Sequence, residues 1–184
     1  MDEELLEKRQ RVLTDALTID CSLCDPYDID YVRYIYACSK GDNVKHIIQD
    51  WFPSPRIFKL GMEIACMYGN INALNDIIDR LIELGMQFWM PKYFVIGCEY
   101  GHVNIVYRLI DMINMSLYLP TALNHAYKYR HGDLIARLTS DPRVLYDLTC
   151  GFTFWRSGRY QYFKHCSLDF FEDMAIAVVQ SLRK

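Results

Sequence analysis

A small residue recurs at intervals of 28, 32 and 29 positions, at Ala37, Ala65, Gly97 and Ala126. Cysteine follows three of them directly (Cys38, Cys66, Cys98), and a large apolar residue stands three positions before all four (Tyr34, Met62, Phe94, Leu123). Four positions after them come Gly41, Gly69 and Gly101, with Arg130 in the fourth copy. Residues three and four apart share one face of a helix. The pattern therefore predicts a helix with a small side chain where a neighbour comes close, then a turn at a residue able to take positive φ. Residues 96–113, IGCEYGHVNIVYRLIDMI, are the clearest copy. After Gly101, the residues Val103, Ile105, Val106, Leu109, Ile110 and Ile113 form an apolar helical stripe, so the unit is a helical hairpin. A helix pair of about 30 residues cannot bury its own apolar face, which restricts the chain to an all-α stack of such pairs.

Residues 101–110, GHVNIVYRLI, resemble the second helix of ankyrin repeats; ACMYGN at 65–70 resembles the family's A-A-x-x-G-[HN], and TALNHA at 121–126 resembles its T-P-L-H-x-A opening. The likeness spans residues 31–144 and is most specific in the third copy, although no copy holds the whole T-P-L-H tetrad. It implies an ankyrin-like α-solenoid of about four helix-turn-helix repeats with terminal capping helices, acting as a non-enzymatic protein-protein interaction module. The cysteine- and tyrosine-rich copies and the SDPRV exit at 140–144 are similar to divergent ankyrin arrays of large DNA viruses. That narrower likeness implies a viral factor whose partner is a host regulatory protein.

The segments outside the repeats read as caps. In residues 1–30, Asp2 is placed to cap a helix with Glu3 and Glu4 in its first turn and Leu5, Leu6, Val12, Leu13, Ala16 and Leu17 on its apolar face. A loop follows, and Asp30 caps the next helix. Pro53 and Pro55 separate the first copy from the second, while Pro91 and Pro120 each open a first helix, where a missing N–H is tolerated. Gly85 ends the second copy. Within residues 145–184, FTFWRSGRYQYF at 152–163 alternates about Ser157 and Gly158 and reads as a short β-hairpin or a degenerate fifth repeat. Ser167 then caps a last amphipathic helix.

Hydrophobic residues make up 52% of the chain, enough for a core, and no apolar run reaches the 18 or so residues of a membrane span. The acidic start, Met1-Asp2-Glu3-Glu4, lacks the basic and apolar regions of a secretion signal, which points to a cytoplasmic or nuclear protein. In that setting the seven cysteines are expected as free thiols. A net charge of −3 argues against a general nucleic-acid binder. The expected partner is another protein, with no nucleic acid, no membrane and no cofactor; oligomeric state is left open.

Chemistry is sparsely marked. The chain holds no H-E-x-x-H, Walker, G-x-S-x-G or G-x-G-x-x-G pattern. Cys21-x-x-Cys24 would need Cys150, His165 or Cys166 to complete a zinc site, which makes a Cys/His metal-binding protein the alternative, alongside a structural role in self-assembly. Tyr68, Tyr100 and Tyr129 recur three residues after the small position and imply a shared packing role. Bulky groups in the connectors are different, because connectors run over the surface. Trp51, Phe88 and Trp89, with Gln87 and Tyr93 beside them, are the expected partner-binding residues.

Overall fold

The structure is a computed structural model that describes residues 2–18, 29–50, 53–86, 90–112 and 115–144. Among these residues every regular element is a helix, and no helix is long and apolar enough to cross a membrane. The chain divides into two compact units, Met1–Trp89 and Met90–Lys184.

In the first unit, α1 (Glu3–Thr18) precedes two helix pairs, α2 (Ile29–Lys40) with α3 (Lys45–Asp50) and α4 (Pro55–Tyr68) with α5 (Ile71–Glu83). First helix packs on first helix and second on second: α2 lies against α4, and α3 against α5. Their shared core holds Tyr34, Ile35, Cys38, Phe58, Met62, Ala65, Cys66, Leu74, Ile77 and Ile78, all fully buried. Gly61 lies inside α4 because the Tyr34 ring rests on its Cα, where any Cβ would overlap the ring. The second unit holds α6 (Met90–Glu99), α7 (Val103–Ile110), α8 (Met115–Lys128) and α9 (Gly132–Ser140), again with first helix on first helix. There α6 packs on α8 and on α7, and α8 on α9, around Phe94, Cys98, Ile105, Leu109, Leu123, Ala126 and Leu138. Gly97 brings α6 close to α7, since a Cβ there would lie 2.9 Å from an Ile105 methyl.

The turn inside each pair forms at the predicted position. Gly41, Gly69 and Gly101 have φ of 94°, 74° and 75°, and Arg130, at the equivalent place, has φ of 58°. In the last three pairs the N–H after this residue bonds back to the carbonyl of the small residue five positions earlier: Asn70 to Ala65, His102 to Gly97 and His131 to Ala126, each at 2.9 Å. This is the Schellman arrangement, which satisfies carbonyls that the helix end would otherwise leave open. Asn70 and His131 are each then spanned by an inverse γ-turn, from Ile71 N to Gly69 O at 3.0 Å and from Gly132 N to Arg130 O at 2.9 Å, and the second helix starts at once. The first pair is looser, with α3 beginning four residues after Gly41.

Several expectations change. Pro120 does not open α8 but lies inside it, because the helix begins at Met115; the proline removes one main-chain bond and is buried beside Leu119. Pro91 does lie in the first turn of α6. Asp30 falls within the first turn of α2, where it pairs with Arg33 at 3.3 Å, and so is not the cap. Asp2 does cap α1, accepting from Glu4 N at 3.0 Å. On α1, Leu6 and Leu17 are 47% and 40% exposed. At 100° per residue, Leu5, Arg9, Val12, Leu13 and Ala16 share an arc of roughly 100°, and Leu6 and Leu17 fall about 20–40° beyond its edge. For the same reason Ile82 on α5 is exposed. The hairpin or fifth repeat at 152–163 and the helix after Ser167 lie outside the described residues.

The turn yields a graded prediction. Arg130→Gly should stabilise the protein by about 0.5–1 kcal/mol, because an L-residue in the left-handed region costs about 1–2 kcal/mol and glycine returns part of that as chain entropy. Gly41→Ala meets only the backbone penalty, since its Cβ would enter open space, whereas a Cβ on Gly101 would also lie 2.6 Å from His131 Nδ1. Gly101→Ala should therefore destabilise more than Gly41→Ala, by about 2–3 against 1 kcal/mol, in denaturant titrations.

Cys38, Cys66 and Cys98 are buried, and burial pushes each thiol well above its ordinary value of 9.0. All three should resist alkylation in the folded chain and react together on unfolding. The sign of the pH effect follows: the folded state holds these protons more tightly, so the associated stability is intact below about pH 9 and falls as pH rises beyond it. Replacing Cys98 by alanine should flatten that alkaline decline in thermal melts.

Candidate functional site

The residue after the left-handed position joins one helix pair to the pair before it. Asn70 donates from Nδ2 to the carbonyls of Ala37 at 2.9 Å, Asp42 at 3.0 Å and Cys38 at 3.3 Å. Its Oδ1 accepts from Ala73 N at 3.0 Å, which also caps α5. In the second unit His131 does comparable work, with Nε2 2.7 Å from the Glu99 carbonyl oxygen. A carbonyl only accepts, so Nε2 bears the hydrogen. Below that bond the imidazole lies against Gly101, whose lack of Cβ makes room for it. The second helices are tied as well: Asp76 on α5 accepts from the backbone N–H groups of Val44 at 2.9 Å and Lys45 at 3.1 Å and so caps α3 of the preceding pair.

Among the described residues, two surfaces bear on recognition. In the second unit, α7 and α9 flank an open cleft of about 660 Å³ whose lining includes Val103, Tyr107, Ala136, Arg137, Ser140 and Asp141. Tyr107 Oη donates to the Arg137 carbonyl at 3.2 Å, and Ser140 Oγ to the Ala136 carbonyl at 2.7 Å. Asp141 is gripped by Arg143 through Nε to Oδ1 at 3.0 Å and Nη2 to Oδ2 at 2.7 Å, which holds its carboxyl below the usual range. Arg143 also meets Asp111, so its charge is shared between two carboxylates. Burial, with Asp141 nearby, raises the Tyr107 phenol. Both hydroxyl protons are thus engaged by backbone within the cleft, and the geometry suits a docked side chain or peptide segment.

The second surface is the groove between α2 and α4, which α1 occupies. Tyr31, early in α2, donates from Oη to the Ala16 carbonyl near the end of α1 at 2.6 Å. Arg9, nearer the start of α1, lies 4.4 Å from the ring centre of Tyr68 at the end of α4. These two contacts set α1 antiparallel to both first helices. Leu5 is its one large fully buried side chain, worth about 1.5–3 kcal/mol of apolar transfer, and the half-buried cation–π contact adds about 0.5–1 kcal/mol. By comparison α4 buries eight residues along its length and α1 two.

Of the expected partner-binding residues, Trp51, Gln87, Phe88 and Trp89 lie outside the described residues. Tyr93 is on α6 and is 4% exposed, so it offers a partner little area. Cys21, Cys24, Cys150, His165 and Cys166 also lie outside the described residues, and among the described ones no group of three His, Cys, Asp or Glu side chains is arranged to hold a metal. Sequence reasoning passed over three residues: Asp76, Arg9 and Glu99. Glu99 is buried on α6 with Oε1 3.9 Å from His125 Nδ1. The arc that Arg9 shares with Leu5 and Ala16 could be read from spacing, but its partner Tyr68 could not; Asp76 reads as one more solvated charge on an amphipathic helix.

Asn70 is the sharpest test of the bridge between pairs. Asn70→Asp turns an N–H donor into an acceptor facing three carbonyl oxygens, and it should destabilise by about 2–3 kcal/mol or more. Asn70→His, which imports the side chain used at residue 131, should lose less; wild-type melting temperatures in both variants would mean that the bridge contributes nothing.

Comparison with protein-family models gives no match, and neither do comparisons with curated proteins and with solved structures.

Proposed function

We propose that the chain is an ankyrin-like solenoid of about four repeats that binds another protein without catalysing a reaction. The observation that carries this reading is the recurrence of one turn, with left-handed φ at Gly69, Gly101 and Arg130, and a following side chain that reaches back to the preceding pair at Asn70 and His131. A device copied along the chain serves to extend a scaffold, and a scaffold of stacked pairs offers its connectors and first helices as a continuous surface. The buried thiols suit a reducing compartment. The likeness to viral ankyrin arrays favours a host regulatory protein as the partner.

The connector carrying Gln87, Phe88 and Trp89 is the proposed contact, because methionine and aromatic groups together form an adaptable apolar surface. Tyr93, four residues after Trp89 in the chain, is buried on α6. Trp89→Ala should lower retention of captured partner by about tenfold or more, as truncation of an interface tryptophan commonly does, while the melting temperature stays unchanged. A lowered melting temperature, or capture at the wild-type level, would show that Trp89 is a packing residue instead.

A further inference from the structure

The two units treat the space between their second helices in opposite ways. In the first, Asp76 stands eleven residues after Ala65 and accepts across the interval from the N–H groups of Val44 and Lys45. Only about 80 Å³ stays open there between α3 and α5. In the second, the residue eleven positions after Ala126 is Arg137. A guanidinium has donors but no acceptor, so it cannot close the interval as Asp76 does, and about 660 Å³ lies open between α7 and α9. The bond across this cleft is made by Tyr107, whose hydroxyl donates to the main-chain carbonyl of Arg137 at 3.2 Å and so does not engage the guanidinium.

The lining defines what would fit. Arg137 is exposed, and its side chain makes no hydrogen bond or ion pair among the described residues. Asp141, the acid in the lining, is held at both carboxylate oxygens by Arg143. The charge left on offer is therefore positive. On the α7 wall Asn104 presents an exposed carboxamide with no hydrogen bond among the described residues. A carboxamide donates and accepts at once, which matches the C=O and N–H of a peptide unit. Beside these groups Val103 and Ala136 give the walls small apolar surface. A trough open along one side encloses too little of a small molecule to hold it, whereas an extended chain gathers contacts along its length. A nucleic-acid strand would bring several phosphates against Asp141 and Asp111, which disfavours it.

We propose that the α7–α9 cleft binds an extended segment of another protein that carries a single Asp or Glu, seated on Arg137, between small or aliphatic residues, with its backbone held by Asn104. This rests on the protein-binding reading above and names the chemistry of a contact other than the Trp89 connector.

The test selects a phage-displayed library of random heptapeptides on the full chain, then measures the best binder, resynthesised with fluorescein, by anisotropy. The wild-type chain should enrich one acidic residue at a fixed place among uncharged ones, and Arg137→Glu should enrich a basic residue instead. Arg137→Ala should weaken the resynthesised peptide about tenfold, as should exchanging its acid for the amide, and the two changes together should lose little more than either alone. Arg137→Lys should lose about threefold, because a point charge replaces a planar fork. No enriched acid, or an affinity that Arg137→Ala leaves unchanged, overturns the proposal. Enrichment of several acids, with displacement of the peptide by oligothymidylate, would make the cleft a polyanion site and overturns the assignment to a protein segment. The selection requires no cellular partner, so its failure is separable from a failure of the Trp89 connector to capture one.

Discussion

Each helix pair depends on a residue held in the left-handed region within two residues of the end of its first helix. That one backbone state lets the chain reverse within two residues and returns an N–H to the carbonyl of the small residue five positions back, as seen at Ala65, Gly97 and Ala126. Closing the turn on that carbonyl fixes where the second helix lands. The landing point in turn explains why the position must be small: at Gly97 the second helix brings Ile105 and Val106 almost onto the backbone. The turn also aims the next side chain outward along the stack, where Asn70 and His131 find the preceding pair's carbonyls. Turn, close packing and attachment between pairs are thus consequences of a single torsion angle.

This coupling is why so much of the repeat register could be read from the chain. A small residue, a cysteine beside it and a glycine four positions on are each common; together at four related places they specify helix, contact and reversal. Arg130 shows how strong the constraint is, since it adopts the left-handed state despite the Cβ that makes that state costly. The burial of Cys38, Cys66 and Cys98 followed from the same register.

What escaped the sequence depended on partners distant along the chain. Nothing local marks Asp76 as the cap of a helix that starts 31 positions earlier, and nothing local distinguishes Asn70, held by three carbonyls, from an ordinary turn asparagine. Pro120 was misread because proline at a helix start is the cheaper placement, and the earlier start of α8 is set by context that residue type does not encode. On α1 the apolar composition was legible, but the width of the buried arc was not: a groove between two helices admits a narrow stripe and leaves Leu6 and Leu17 outside. The candidate surfaces were accordingly less legible than the scaffold, and Arg9 became visible as a contact only once Tyr68 stood beneath it.

The trans-acting cap on α3 bears on the order in which the chain takes shape during synthesis. A helix of six residues is far below the length that persists alone in water, and the carboxylate that accepts from the N–H of Val44, just before it, and of Lys45, its first residue, belongs to α5. As the chain leaves the ribosome from its N-terminus, α2 has α1 to pack on, but α3 has only the Asn43 side chain on Lys45 N until residue 76 has emerged and α5 has coiled. The first pair would therefore mature after the second begins to form, so that an arrest of translation between the two would release a fragment unable to complete even its own leading hairpin.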